Sequence, residues 1–251
     1  NGATTLALLL TRTVEPSAQA YAMGDRTARP PYDYADMRIT VNDMPPILRA
    51  SWLRGVSALP NSFAHESFID ELASAAGVDP VQFRLKHLPD ERAREVLQAT
   101  ADKAGWKVHT QPQQQTAQGD WLQGQGVAYA RYTHSKWPGF GAAWAAWVAD
   151  VQVHKTTGEV QVKRVVVGHD AGRVINPKGV EQQVHGNVLQ TTSRALFEQI
   201  QTDPSDGRVT SAEWGSYPIL NFRQVPVIEV VQMPRPQQDP MGAGESSSVP
   251  G

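Results

Sequence analysis

One stretch constrains the fold more than any other. In "AAWVADVQVHKTTGEVQVKRVVVGHD", residues 145–170, polar and apolar residues alternate at period two on both sides of Thr156-Thr157-Gly158-Glu159. Side chains alternate across a strand, so the pattern describes two strands with one face on a core, joined as a hairpin by a Gly-containing turn. "GQGVAYARYTH" (124–134) reads as another strand, and "GRVTSAEW" and "VPVIEVVQM" as a final pair. The first hairpin partner is followed by a strand expected to end at Val167, where Gly168 and Gly172 turn the chain.

Upstream the period changes. "NSFAHESFIDELASAAGVDP" offers Asn61 as an N-cap, with Phe63, Phe68, Leu72 and Ala75 on one helical face, and Gly77 with Pro80 as the stop. A short helix is expected over Val81–Leu88. A third lies in "DERAREVLQATADKAGW", with Ala93, Val96, Leu97, Thr100, Ala101 and Ala104 on one side and Gly105 as C-cap. Glu66 and Asp70, at i,i+4, fit a solvated or hydrogen-bonded face better than a metal site. After the hairpin, "GVEQQVHGNVLQTTSRALFEQI" has a helical pattern over about 179–199. The fold class is therefore α+β, a mostly antiparallel sheet packed with helices. Residues 1–48, with a possible strand at Met37–Val41, read as an extended docking segment and 49–108 as a helical segment. The polar, Gln-rich 109–121 reads as a linker and 122–251 as a β-rich segment.

The chain has no cysteine, so it cannot build a disulfide, a thiolate metal site, an iron–sulfur cluster or a c-type haem. A net charge of −2 gives no basic excess for nucleic acid. The apolar run "ATTLALLLT" is too short to span a bilayer and lacks a basic n-region. Because the sequence opens on Asn1, both ends are expected to continue in a longer protein.

Three places could carry chemistry. "MGAGESSSVPG" sets Glu245 among glycines and serines, which fits a carboxylate presented on a tight loop and equally fits a solvated tail. "GHDAGRVINPKGVEQQVHG" is a strand–turn–helix junction of the kind that receives anions at a helix start. There Gln183 could meet a ligand packed against Gly186, or be an exposed helix glutamine. His169 and Asp170 are adjacent on a strand and point to opposite faces, a poor metal pair. In "SWLRGVSALPNSF", Arg54 could clamp an anion beside the Gly55 main chain, or be a surface arginine in a turn.

Taken in order, "LRGVSALPNSFAHESFIDELA", "DPVQFRLKHL", "GQGVA", "GHDAGRVINPKGVEQQVHG", "YPILNFRQVPVIEV" and "GAGES" resemble one known family. It is the xanthine dehydrogenase/aldehyde oxidase family, in the C-terminal part of its large, molybdopterin-binding subunit. The likeness leans to the isoquinoline 1-oxidoreductase and nicotinate dehydrogenase branch and covers most of residues 45–249. It implies a molybdenum-cofactor-binding domain of aldehyde oxidase type. The implied activity is oxidative hydroxylation of an N-heteroaromatic or aldehyde substrate, with water as the oxygen source. The implied cofactor is molybdopterin, in its cytosine dinucleotide form, carrying molybdenum on the pterin dithiolene rather than on protein side chains. Implied partners are an iron–sulfur small subunit with 2Fe-2S clusters, a cytochrome c acceptor and the remaining part of the large subunit. The compartment stays open: cytoplasmic, periplasmic or membrane-associated.

The resemblance also assigns residues. Glu245 matches the general base beside molybdenum, and Ala243 and Gly244 the loop that brings it to the cofactor. Arg54 and Gly55 match the Arg-Gly loop whose main chain lies against the metal's ligands, and Gln183 with Gly186 the Gln-x-x-Gly step that holds the pterin. Val56 stands at a substrate position where xanthine and aldehyde oxidases carry an aromatic residue, a departure that speaks against purine. Ser246 replaces the usual proline after the glutamate. On this reading the 251 residues alone are expected to be inactive. Two other classes remain: a non-catalytic β-rich binding or assembly module, and a metal-free hydrolase pairing Glu245 with Asp170.

Overall fold

A computed structural model describes residues 10–13, 24, 26–43, 52–111, 117–135 and 139–251. Strands β1 (Leu10–Thr13) and β2 (Thr40–Asp43) form a small antiparallel pair. Of the expected docking segment, residues 1–9, 14–23, 25 and 44–48 lie outside the described residues. Helices α1 (Ala58–Ala75), α2 (Pro80–His87) and α3 (Glu91–Ala104) follow. Then come β3 (Ala117–Gln118), β4 (Trp121–Ser135), β5 (Phe140–His154), β6 (Val160–Asp170), α4 (Pro177–Leu196) and β7 (Val227–Gln232). The main sheet has the order β3-β4-β5-β6-β7. Its pairs are antiparallel except β6–β7, which is parallel. A parallel pair needs a crossover, and α4 lies within it.

The sheet is covered on both faces where β6 ends. Val127, Tyr129, Ala146, Val148 and Val166 pack with Val96 and Leu97 of α3. Val165, Val167 and Trp147 pack on the other side with Val184 and Val188 of α4. This explains the unbroken "VVV" of β6: where both faces are buried, polar alternation stops. The buried face of α3 is the one its spacing describes, with Asp90 capping its start and Gly105 closing it at φ 71°.

Four expectations fail for definable reasons. β6 runs to Asp170, past Val167, and Gly168 lies within it rather than at a turn. There a Cβ would fall on Thr100 Oγ1 and lie 3.0 Å from the Val96 carbonyl, so Gly168 lets α3 lie close to the sheet. Asn61 does not cap α1; its Nδ2 donates to the carbonyls of Gly24 and Arg26, 3.0 Å to each. The buried face of α1 is Ser62, Glu66, Ile69 and Ala73, while Phe63 is 70% and Phe68 56% exposed. Glu66 draws that face inward because its carboxylate accepts from Tyr32 Oη (2.7 Å), Arg84 Nε (2.9 Å) and the Tyr129 N–H (2.8 Å). Burial pushes the Glu66 carboxyl up, but Arg84 and the other donors outweigh it and hold it below its ordinary value. Finally, residues 207–214 are not a strand; Val209 makes only an isolated bridge to Thr202. Asp203 and Asp206 accept instead from the N–H groups of Ser205 and Arg208, local turns that compete with a ladder.

Candidate functional site

The chain leaves β7 and runs back along the end of β6, with the Met233 N–H on the His169 carbonyl and the Met241 N–H on that of Ala171. It then forms a 3₁₀ turn at Ser246–Ser248, with Glu245 at its head. Composition alone would make this serine run a solvated turn. Instead all of it is buried and hydrogen-bonded. Ser246 Oγ meets His169 Nε2 at 2.7 Å, and Ser247 Oγ accepts from Asn187 Nδ2 at 2.6 Å. Trp147 Nε1 donates to the Ser247 carbonyl at 2.7 Å, Thr191 Oγ1 to that of Ser248 at 3.2 Å, and Ser248 Oγ to that of Glu245 at 2.6 Å. Each buried hydroxyl has found a partner, as burial requires. The loop is pinned to β5, β6 and α4, and Ser246 takes its place through His169.

Glu245 itself is half-buried. Its Oε2 accepts from the Tyr132 hydroxyl at 2.9 Å, and its Oε1 faces the Gly55 N–H at 3.4 Å. Tyr132 Oη in turn accepts from Arg26 Nη1 at 2.7 Å. Burial, and then the bond to Glu245, push the Tyr132 phenol up to about 12. Gly55 takes φ 87°, and a Cβ there would stand 2.9 Å from Ser248 Oγ, so both conformation and space call for glycine. Val56 follows at φ 51°, a left-handed conformation that a β-branched residue rarely adopts.

Beside this carboxylate lies a second group of contacts. Arg54 Nη2 reaches Gln183 Oε1 at 3.3 Å, and the Arg54 carbonyl accepts from Arg194 Nη1 at 2.6 Å. Gly186, one turn after Gln183 on α4, leaves room for the guanidinium: a Cβ would come within 3.1 Å of Arg54 Nη1. Gly244 approaches Gln183 likewise, a Cβ there standing 3.9 Å from its Oε1, and Asn187 Nδ2 donates to the Ala243 carbonyl at 3.3 Å. The structure thus brings Arg54, Gly55, Gln183, Gly186, Ala243, Gly244 and Glu245 to one end of the sheet, with the Gln183 side chain exposed.

Asp170 is elsewhere. It points to the α3 face, where it accepts from Arg92 Nε (3.0 Å), Arg235 Nε (2.8 Å) and the Gly172 N–H (3.0 Å). Burial alone would raise its carboxyl, but these donors hold it below its ordinary value. It is a fixed anion, not half of an acid–base pair with Glu245. Sequence reading missed Tyr132, Arg26, Asn187 and Arg194. The alternation in β4 does place Tyr132 opposite Tyr129 in facing, but nothing local names Glu245 as its acceptor.

The site's donors are a guanidinium, an amide and main-chain N–H groups, which suit phosphate and heterocycle edges. Among the described residues there is no group of three or more His, Asp or Glu placed to hold a bare metal ion.

The family model described as a molybdopterin cofactor-binding domain matches residues 64–226. One of the subunits of nicotinate dehydrogenase from Pseudomonas putida is 64% identical over 250 residues, which is 100% of this chain and 21% of that protein. The beta subunit of isoquinoline 1-oxidoreductase from Brevundimonas diminuta is 31% identical over 180 residues, 71% of this chain and 21% of its own length. This chain thus spans about a fifth of these curated relatives. In three dimensions, the aldehyde oxidoreductase from Desulfovibrio desulfuricans superposes with a TM-score of 0.71 at 16% identity, over 92% of this chain and 41% of that one.

Proposed function

Because this chain belongs to the molybdopterin cofactor-binding domain family, we propose that it is the base-bearing part of a molybdenum hydroxylase subunit. The substrate class is an N-heteroaromatic compound or an aldehyde; the names of the two relatives favour the heterocycle. When bound, the molybdenum cofactor supplies the two-electron oxidation of the substrate carbon. This chain's residues hold and orient it. Gln183 and Arg54 offer an amide and a guanidinium, and Gly55, Ala243 and Gly244 offer main chain without bulk. Glu245 accepts the proton that the oxygen source must lose, and Val56 lines the substrate side. In this reading 49–108 and 122–251 contribute one wall each, while the expected linker 109–121 is shortened because Ala117–Gln118 and Trp121 belong to the sheet. The cytosine dinucleotide form, an iron–sulfur small subunit carrying 2Fe-2S clusters and a cytochrome c acceptor belong to the same proposal. An electron route outside this chain is required because it has no cysteine to hold a cluster.

The observation that supports this reading best is the Glu245 carboxylate 3.4 Å from the Gly55 N–H, beside the Arg54–Gln183 contact. The test is Glu245→Gln in the complete enzyme. Gln keeps the size but cannot take the proton. Turnover and substrate-driven reduction should both fall by roughly 10²-fold or more, the usual worth of a general base, with molybdenum content near that of the parent. Loss of molybdenum from the variant would make Glu245 a structural residue instead.

A further inference from the structure

Tyr132 occupies a position that the reading of Glu245 does not by itself require. It is fully buried on β4, in a small cluster with Ala58, Ala130 and Val249. Its oxygen stands between Arg26 Nη1 at 2.7 Å and Glu245 Oε2 at 2.9 Å. Arg26 is held in place in turn, since its carbonyl accepts from Asn61 Nδ2 at 3.0 Å and the adjacent Thr27 Oγ1 donates to the Ala58 carbonyl at 3.1 Å.

The direction of these bonds follows from the chemistry of the groups. A guanidinium has donors only, so the Tyr132 oxygen must accept from Arg26. Its single O–H must then go to its other neighbour, Glu245 Oε2. With Oε2 engaged, the oxygen left to take a proton is Oε1, whose contact to the Gly55 N–H is long at 3.4 Å. We propose that Tyr132, oriented by Arg26, is a positioning residue that fixes the Glu245 carboxylate through Oε2 and presents Oε1 as the proton-accepting atom. The inference rests on the reading of Glu245 as the base.

The test uses the complete holoenzyme, with Tyr132→Phe and Arg26→Gln made alone and in a Glu245→Gln background. Phe keeps the ring in its buried place and removes only the donor. Tyr132→Phe should slow reduction by substrate roughly tenfold, the worth of one hydrogen bond to a charged group, while substrate KM stays near parental. Arg26→Gln should slow it less, because the amide can still donate but no longer fixes the direction of the phenol. In the Glu245→Gln background neither change should slow reduction further, since the residue they act through is gone. The carboxylate stretch assigned by the infrared difference between parent and Glu245→Gln should shift in Tyr132→Phe. Parental rates in Tyr132→Phe, losses that add to that of Glu245→Gln, or an unmoved carboxylate band would each overturn the positioning role and leave Glu245 as the base. A Glu245→Gln enzyme that is reduced at the parental rate would remove the base assignment itself.

Discussion

His169 makes no contact with Glu245's carboxylate, yet it decides where the loop bearing that carboxylate sits. It is fully buried with Nε2 on Ser246 Oγ, and burial pushes it down to about 4, with only the neighbouring Asp170 charge opposing. The unfolded chain takes up a proton at this residue as pH falls through about 6.5, whereas the folded chain does not until about 4. Stability is therefore fully present above about pH 6.5 and is lost as pH falls between those values. The loss between pH 7 and 5 should be roughly 2 kcal/mol from this one group. Urea unfolding of His169→Gln should show that part of the slope gone, and a slope unchanged from the parent would place the pH sensitivity elsewhere. At this scale the sequence shows residue types but not partners. Glu245, Gly55 and Gln183 could be singled out only through the family resemblance, since their own neighbours left each open to a surface reading. Tyr132 could not be, because its acceptor is 113 positions away, and the serines mislead because burial is set by what packs over them.

Among the elements, α3 was fully legible and α1 was not. An apolar stripe at helical spacing settles α3. In α1 the two phenylalanines point outward because the Glu66–Arg84 pair, invisible as a pair in the sequence, sets which side faces the sheet. The hairpin of β5 and β6 could be read from alternation, while the parallel pairing of β7 could not, since a strand's own residues do not state its direction. Gly168 belongs to this scale. Replacing it with Ala pushes α3 off β6, because a Cβ would meet Thr100 Oγ1 and the Val96 carbonyl. Overpacking of this kind costs about 1–3 kcal/mol, and the lower urea midpoint should be relieved in part by Thr100→Ala, which removes the oxygen the new Cβ would meet. A midpoint equal to the parent's would show that α3 does not rest on the sheet there.

For the molecule as a whole, the distribution of exposed apolar surface is the informative feature. Trp214 is 85% and Phe222 98% exposed, and Phe63 and Phe68 stand out from α1 as well. Such side chains seldom stand open in numbers on a monomer. The 251-residue chain prepared by itself should bind a hydrophobic dye and self-associate. Trp214→Ser with Phe222→Ser should lower both while leaving the far-ultraviolet circular dichroism unchanged; equal dye binding would mean that these residues are already covered. Sequence distance also orders events in time. The contact between Gly55 and Glu245 joins residues 190 positions apart, so it closes one of the longest loops in the chain and carries a matching entropic cost. Arg54, Gly55 and Tyr132 are synthesised long before the loop that bears Glu245, and that loop can settle only once α4 and β6 are there to pin its serines. The cleft therefore cannot be complete until residues 245–248 have been added to the chain and docked on β6 and α4.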